Sequence, residues 1–199
     1  MSTMGKKESS FKNMVLTLLV IALIASTALG YVYEITKGPI EKAKLVKKLE
    51  AIKEVAPAFD NDPNTEMFRV VTPEGNDSLE VYPAKKGGEL LGYAVKTYTM
   101  KGFSGFISLM VGFDIQGNIT NISVLEHAET PGLGDKMSKS KSPWSNQFNG
   151  KNPGKNSIKV KKDGGEIDAI TASTISSRAY CDAVSRAYLS IKPLLNSNN

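Results

Sequence analysis

The sequence LLGYAVKTYTMKGFSGFISLMVGFDIQGNITNISVLEH, residues 90–127, contains three consecutive runs with the composition of β-strands. These runs are Leu90–Thr99, Phe106–Asp114 and Asn118–Glu126, each rich in β-branched, aromatic or other apolar residues. The segment Asp114–Asn118 supplies a glycine for the positive φ that a tight hairpin turn needs. We therefore predict successive antiparallel strands that form the centre of a sheet.

The flanking sequence extends this sheet and covers it with helices. Met67–Val71 and Leu79–Tyr82 are short strand candidates between turn-forming segments, and Ser157–Lys161 is predicted to be a last short strand. From Thr174 onward the apolar residues recur at helical spacing, which predicts a C-terminal helix on one face of the sheet. The predicted fold class is α+β: a twisted antiparallel sheet with packed helices, preceded by a single N-terminal transmembrane helix.

The N-terminal region contains a segment long enough to cross a membrane. Met14–Tyr33 is a run of 20 residues without a charged side chain, and a helix of about this length spans roughly 30 Å of hydrocarbon. A cleaved signal peptide is the alternative, because Ser26–Ala28 resembles a small-residue cleavage site. We favour a retained anchor with its N-terminus in the cytoplasm, because the run reaches full spanning length and a long following domain can be translocated whatever its charge.

This interpretation divides the chain into four parts. They are a cytoplasmic N-terminus at 1–13, a transmembrane helix at 14–33, a juxtamembrane helix at 34–57 and an extracytoplasmic domain at 58–199. Gly38-Pro39 predicts a break or kink just beyond the span. The lysines of the juxtamembrane helix either contact membrane lipid head groups or form a solvated helix face.

Composition excludes several classes of protein. Among 199 residues, 25 Lys and Arg outnumber 20 Asp and Glu, for a net charge of +5. Because the excess of lysine lies around the apolar segment rather than on the folded body, we do not expect nucleic-acid binding. With one cysteine, Cys181, and one histidine, His127, the chain has no intramolecular disulfide and no Cys-based or multi-histidine metal site.

Two motifs have compositions that favour a binding site. His127–Lys136 (HAETPGLGDK) follows a strand and contains Pro and two glycines in a compact turn, and glycines let a backbone approach a ligand closely. Asp168–Ser177 (DAITASTISS) is rich in Ser and Thr and leads into the last helix, whose N-terminus suits a phosphate. Each motif also has a plain structural interpretation, as a turn and as a helix N-cap.

Together the two motifs resemble the FMN-binding domain of the Rnf electron-transport complex G subunit, a relative of the C subunit of the Na⁺-translocating NADH:quinone reductase. The attachment motif of that family reads approximately Asp-x-x-Ser/Thr-Gly-Ala-Thr, followed by one residue and Thr/Ser-Ser. This sequence matches it except at Ala172, where glycine is usual, and Ser173, where alanine is usual. The stretch Glu129–Asp135 matches the other signature of the family without departures.

The resemblance implies that Thr174 carries FMN covalently through a phosphoester, installed by a flavin transferase that uses FAD and Mg²⁺. It also implies that Thr130, Leu133 and, more weakly, Glu129 contact the flavin, with Ser173 beside the attachment point. Lys159 is a further candidate, since it could neutralise the phosphate or the reduced flavin, although a solvated lysine is the plainer interpretation. We assign no catalytic residue and no metal site.

The implied function is that of a membrane-anchored electron-transfer subunit, not a complete enzyme by itself. Its partners would be the other membrane and soluble subunits of an ion-translocating ferredoxin:NAD⁺ oxidoreductase, coupled to Na⁺ or H⁺. The chain would lie in the cytoplasmic (inner) membrane as a single-pass protein with its C-terminal domain on the periplasmic side. The alternatives are a tethered-FMN domain of another extracytoplasmic reductase and a flavin-free, membrane-anchored assembly module.

Overall fold

A single antiparallel sheet forms the centre of the protein in the computed structural model, which describes residues 10–75 and 77–197. Within these residues its five strands follow chain order: β1 Phe68–Val71, β2 Ser78–Lys86, β3 Glu89–Gly102, β4 Gly105–Asp114 and β5 Ile119–His127. Each strand pairs antiparallel with the next strand in the sequence, and a short connection joins the two. The strands predicted between residues 67 and 126, and the turn predicted at Asp114–Asn118, are therefore confirmed.

The C-terminal helix α2, Thr174–Ser197, covers one face of this sheet. Its buried residues Ala183, Val184 and Ala187 belong to the same core as Val95 and Leu109 of the sheet. Small side chains on the helix allow a close approach, and the Thr97 hydroxyl donates a hydrogen bond to the Ala183 carbonyl at 3.0 Å. The sheet and helix together confirm the α+β class.

The opposite face of the sheet is covered by the last turns of helix α1, Phe11–Val55. Ile52 and Val55 are almost fully buried, in a cluster that includes Tyr82 and Met110 of the sheet. Gly112 is required where the helix ends, because a Cβ there would lie 1.9 Å from the Val55 carbonyl oxygen. The end of α1 is thus part of the domain core.

Helix α1 is also the candidate membrane anchor. Among the described residues it is the one helix long and apolar enough to cross a membrane, and none of its most apolar window is buried. Helical structure continues through Pro39, so the break considered at Gly38-Pro39 does not interrupt the helix. The contacts divide the described chain into a unit that ends at Val46 and a compact unit that begins at Lys47. The four-part division expected from the sequence stays a prediction.

The segment between β5 and α2 consists of turns rather than extended strands. Short 3₁₀ helices occur at Gly134–Met137, Pro143–Phe148 and Lys161–Asp163. The strand predicted at 157–161 is reduced to a single parallel bridge between Val160 and Ile167. That prediction was wrong because the chain turns directly after Val160 into a 3₁₀ helix, which Gly164 ends at φ 77°.

Candidate functional site

A cleft of about 330 Å³ lies where the tip of the β3–β4 hairpin, the loop after β5 and the first turn of α2 meet. This volume is within the range of small-molecule sites. The cleft joins the two sequence motifs, which are far apart along the chain. Its lining residues are Phe103, Glu129, Thr130, Leu133, Gly134 and the run 172–176.

The floor of the cleft is the N-terminus of α2. The helix begins at Thr174, and the Ser173 carbonyl already accepts the Ser177 N–H at 3.0 Å. The first N–H groups of any helix lack intrahelical partners, and its dipole is positive at this end. The half-buried Thr174 hydroxyl therefore lies at a position that favours a phosphate.

The backbone directly before the helix adopts a left-handed conformation. Ala172 has φ 60° and is the one non-glycine residue with positive φ in the described chain. An L-residue with a Cβ is strained there by roughly 1–2 kcal/mol, whereas glycine is not. Glycine, the residue expected here from the motif resemblance, would adopt this geometry without that strain.

Ser177 holds the turn in this shape. Its hydroxyl accepts the Ile170 N–H at 2.9 Å and donates to the Ser173 carbonyl at 2.9 Å. The residue is completely buried, so the backbone groups that it satisfies are out of reach of water. The last serine of the motif is therefore a structural clamp on the segment that carries Thr174.

The start of the same motif is held by a separate group of side chains. The Trp144 indole N–H donates to the Asp168 carbonyl at 2.6 Å, and Gln147 accepts the Asp168 N–H at 2.8 Å. The indole ring packs edge-on against Tyr180 at a centroid distance of 5.1 Å. Trp144 is not among the residues that line the cleft; it anchors the start of the Asp168–Ser177 motif to α2. The Asp168 carboxylate pairs with Lys161 at 2.7 Å.

An ion pair and a buried cysteine lie close to this region. Arg178 makes two hydrogen bonds of 2.7 Å to the Asp163 carboxylate, and this interaction lowers the pKa of Asp163. Cys181, one turn along α2 from Ser177, is buried, and burial raises the pKa of its thiol to about 12. Because the thiolate is the reactive form, Cys181 is a core residue rather than a nucleophile.

The rim of the cleft is apolar and accessible. Phe103 is 68% exposed, Ile175 48% and Leu133 40%, and Thr130 is also exposed. A floor that favours phosphate and an apolar rim suit a ligand with a charged tail and a flat aromatic ring. Sequence reasoning did not identify Phe103; its signal is a large aromatic residue between turn glycines at a hairpin tip.

The other candidate residues, Glu129, His127 and Lys159, are not part of the exposed rim of the cleft. Glu129 borders the cleft, but it is 4% exposed and its carboxylate accepts the Ser104 N–H at 2.9 Å. His127 accepts the Glu129 N–H through Nδ1 at 3.2 Å, which is a structural contact. Lys159 is exposed and lines a separate surface depression beside Tyr188 of α2, away from the other candidates.

Comparison with known proteins first defines the class of protein. Residues 102–189 match the family of FMN-binding domains, and this range contains the cleft. FMN has a phosphate tail and a flat ring, which are the two features that the floor and rim fit. The residues around Thr174 could therefore hold this cofactor.

Relatives over most of the chain define the family more narrowly. The chain is 36% identical to the ion-translocating oxidoreductase complex G subunit of Yersinia pestis, over 88% of this chain and 89% of the relative. It is 36% identical to the Na⁺-translocating ferredoxin:NAD⁺ oxidoreductase complex G subunit of Acetobacterium woodii, over 85% and 86%. The protein belongs to the family of G subunits of ion-translocating oxidoreductase complexes, as the sequence motifs indicated.

Proposed function

We propose that this chain is a membrane-anchored electron-transfer subunit that carries FMN through a phosphoester to the Thr174 hydroxyl. The observation that supports this most directly is the cleft in which both motifs meet, with Thr174 in the first turn of α2. The complex would be an ion-translocating ferredoxin:NAD⁺ oxidoreductase, as the name of the Acetobacterium woodii relative states for that protein. The coupling ion would be Na⁺ or H⁺.

Attachment needs a flavin transferase that uses FAD and Mg²⁺. The Thr174 oxygen forms a bond to the phosphorus on the FMN side of FAD, and the pyrophosphate P–O bond to AMP breaks. AMP leaves with the bridging oxygen, and the hydroxyl proton is released. No electrons are transferred in this step, so the protein receives FMN minus the elements of water.

The roles of the chain's own residues follow from where they lie. The N–H groups of the first turn of α2 would stabilise the phosphate charge, while Ser173 and Ser177 keep Thr174 at the helix start. Thr130 and Leu133, on the loop, and Phe103, on the hairpin, line the cleft and would hold the ring. When bound, FMN supplies the electron-transfer chemistry and the protein supplies orientation and electrostatics. Lys159 has no direct part in this arrangement.

Helix α1 supports a membrane location for the protein. We place the FMN-binding domain on the periplasmic side of the cytoplasmic membrane, with the N-terminus in the cytoplasm and the other subunits as electron donor, electron acceptor and ion pathway. A single span without charged residues offers no ion path of its own. Lysines after the span would contact anionic lipid head groups.

The proposal is tested by intact-mass measurement of the full chain after co-expression with a flavin transferase. Wild type should gain roughly 440 Da, the mass of FMN minus water, together with visible flavin absorbance. Thr174→Ala should lose both, because it removes the one protein oxygen through which the phosphorus would be attached. Thr174→Ser, which keeps a hydroxyl, should retain at least part of the gain.

Thr171→Ala is the matched control, because Thr171 is an exposed hydroxyl three residues earlier in the same motif. It should leave the mass gain intact. A colourless, unmodified wild type would reject covalent FMN and favour an assembly module without flavin. Persistence of the full mass gain in Thr174→Ala would assign the flavin to another hydroxyl.

A further inference from the structure

The geometry points to Glu129 as a positioning residue that ties the tip of the β3–β4 hairpin to the first turn of α2. Its carboxylate bridges two elements: Oε1 accepts the Ser104 N–H at 2.9 Å, and Oε2 accepts the Ser176 hydroxyl. Hydrogen bonds to a carboxylate are about twice as strong as those between neutral groups. With Glu129 only 4% exposed, these bonds are shielded from water.

Two glycines are fitted around this carboxylate. A Cβ on Gly102 would lie 2.5 Å from the Gly105 carbonyl oxygen and 2.6 Å from Glu129 Oε1. A Cβ on Gly134 would lie 2.7 Å from Glu129 Oε2 and 2.8 Å from the Ser176 hydroxyl oxygen. Neither glycine has a positive φ. Lack of space therefore requires glycine at both positions: the carboxylate and the hairpin backbone crowd Gly102, and the carboxylate with its Ser176 partner crowds Gly134.

The bridge determines where Phe103 is held. Phe103 is 68% exposed and lies between Gly102 and Ser104, so its own packing does little to fix it. Of its two neighbours, Ser104 donates its N–H to the Glu129 carboxylate, and Gly102 lies so near the same carboxylate that a Cβ would not fit between them. Phe103 forms one wall of the cleft, and Glu129 thus keeps this wall at a fixed distance from Thr174. It does so by holding the backbone on either side of Phe103, not by touching the cofactor.

Hydrogen exchange of the full chain in detergent, expressed without a flavin transferase, tests the bridge itself. In Glu129→Ala, amides in residues 100–106 should exchange about tenfold faster than in wild type, while those in 107–113 of β4 remain within about twofold. Glu129→Gln should exchange close to wild type, because its amide oxygen can accept from Ser104 and its NH₂ can donate to Ser176. Glu89→Ala, which removes an exposed carboxylate at the start of β3, should change neither segment.

Unchanged exchange of residues 100–106 in Glu129→Ala would overturn the inference, as would equal acceleration in Glu129→Gln. If Glu129→Ala also accelerates 107–113, the domain has unfolded more widely, and Ser176→Ala then decides the question. That variant removes one of the two bonds, and we expect a two- to fivefold acceleration confined to the tip. No acceleration in Ser176→Ala would also overturn the bridge.

The consequence for the cofactor rests on the proposed function. In flavinylated protein, Glu129→Ala should keep the mass gain but lower the fluorescence anisotropy of the flavin, because the wall beside the ring is released. An unchanged anisotropy in fully modified protein would reject the positioning role. Absence of the mass gain in wild type would instead reject covalent FMN. The hydrogen-exchange experiment, which uses protein without flavin, would still test the Glu129 bridge.

Discussion

Ala172 is the residue at which the backbone before α2 is strained. Its φ of 60° lies in the left-handed region, which disfavours any residue with a Cβ. The side chain is exposed, so no packing compensates for this strain. The Asp168–Ser177 motif therefore keeps a backbone shape that glycine would adopt more easily.

We expect Ala172→Gly to raise the free energy of unfolding by about 0.5–1 kcal/mol, because relief of strain exceeds the added entropy of the unfolded chain. Urea unfolding followed by the fluorescence of Trp144, the single tryptophan, measures this change. Ala128→Gly is the control, since Ala128 is exposed and lacks a positive φ. It should lower stability by a few tenths of a kcal/mol or more. Equal effects of the two substitutions would contradict the argument.

At the scale of the element, the N-terminus of α2 depends on a side chain rather than on helix propensity. Ser177 satisfies a donor and an acceptor of the preceding turn through one buried hydroxyl. The helix start and the turn before it are therefore a single unit. A change at Ser177 acts on Thr174 through the backbone that both share.

Ser177→Ala should lower the free energy of unfolding by about 1–3 kcal/mol, because the buried Ile170 N–H loses its partner. Ser190→Ala is the matched variant on the same helix. Its hydroxyl is also buried, but it donates only to the Arg186 carbonyl one turn earlier, so its removal should cost under about 0.5 kcal/mol. The same urea titration compares both variants, and similar losses would show that Ser177 has no special role.

The sequence predicted elements where one local signal was sufficient. Strand composition with turn glycines predicted β3, β4 and β5, and apolar spacing predicted α2. The strand at 157–161 failed because its pairing depends on Ile167, which lies after a turn that composition does not reveal. The sequence also could not predict the place of Phe103 in the cleft or the inward orientation of Glu129, since both depend on contacts between segments that are distant in sequence.

At the scale of the whole molecule, the two faces of the sheet are covered by helices from opposite ends of the chain. Helix α2 supplies one cover, and the last turns of α1 supply the other. The Asn121 side chain donates to the Glu54 carbonyl at 3.0 Å, which adds a polar contact at the end of α1. The domain therefore includes residues that composition alone assigns to the segment beside the membrane.

Ile52→Ala should destabilise the domain by about 2–5 kcal/mol, the usual cost of a cavity at a buried isoleucine, since Ile52 is 2% exposed. Leu45→Ala is the control, because Leu45 lies seven residues earlier on the same helix and is 47% exposed. It should change the free energy of unfolding by less than about 0.5 kcal/mol. Unfolding of both full-length variants in detergent distinguishes them. A negligible loss in Ile52→Ala would place the start of the domain after α1.

The cleft is assembled from three stretches that come together only when the sheet, the loop after β5 and α2 have all formed. It does not exist in the unfolded chain or in a nascent chain that lacks α2. A maturation enzyme that recognises the assembled cleft would therefore discriminate finished molecules from unfinished ones. The yellow colour of a preparation would then report its content of correctly folded protein, and loss of colour in a variant could arise from failed quality control as well as from damage to the acceptor hydroxyl.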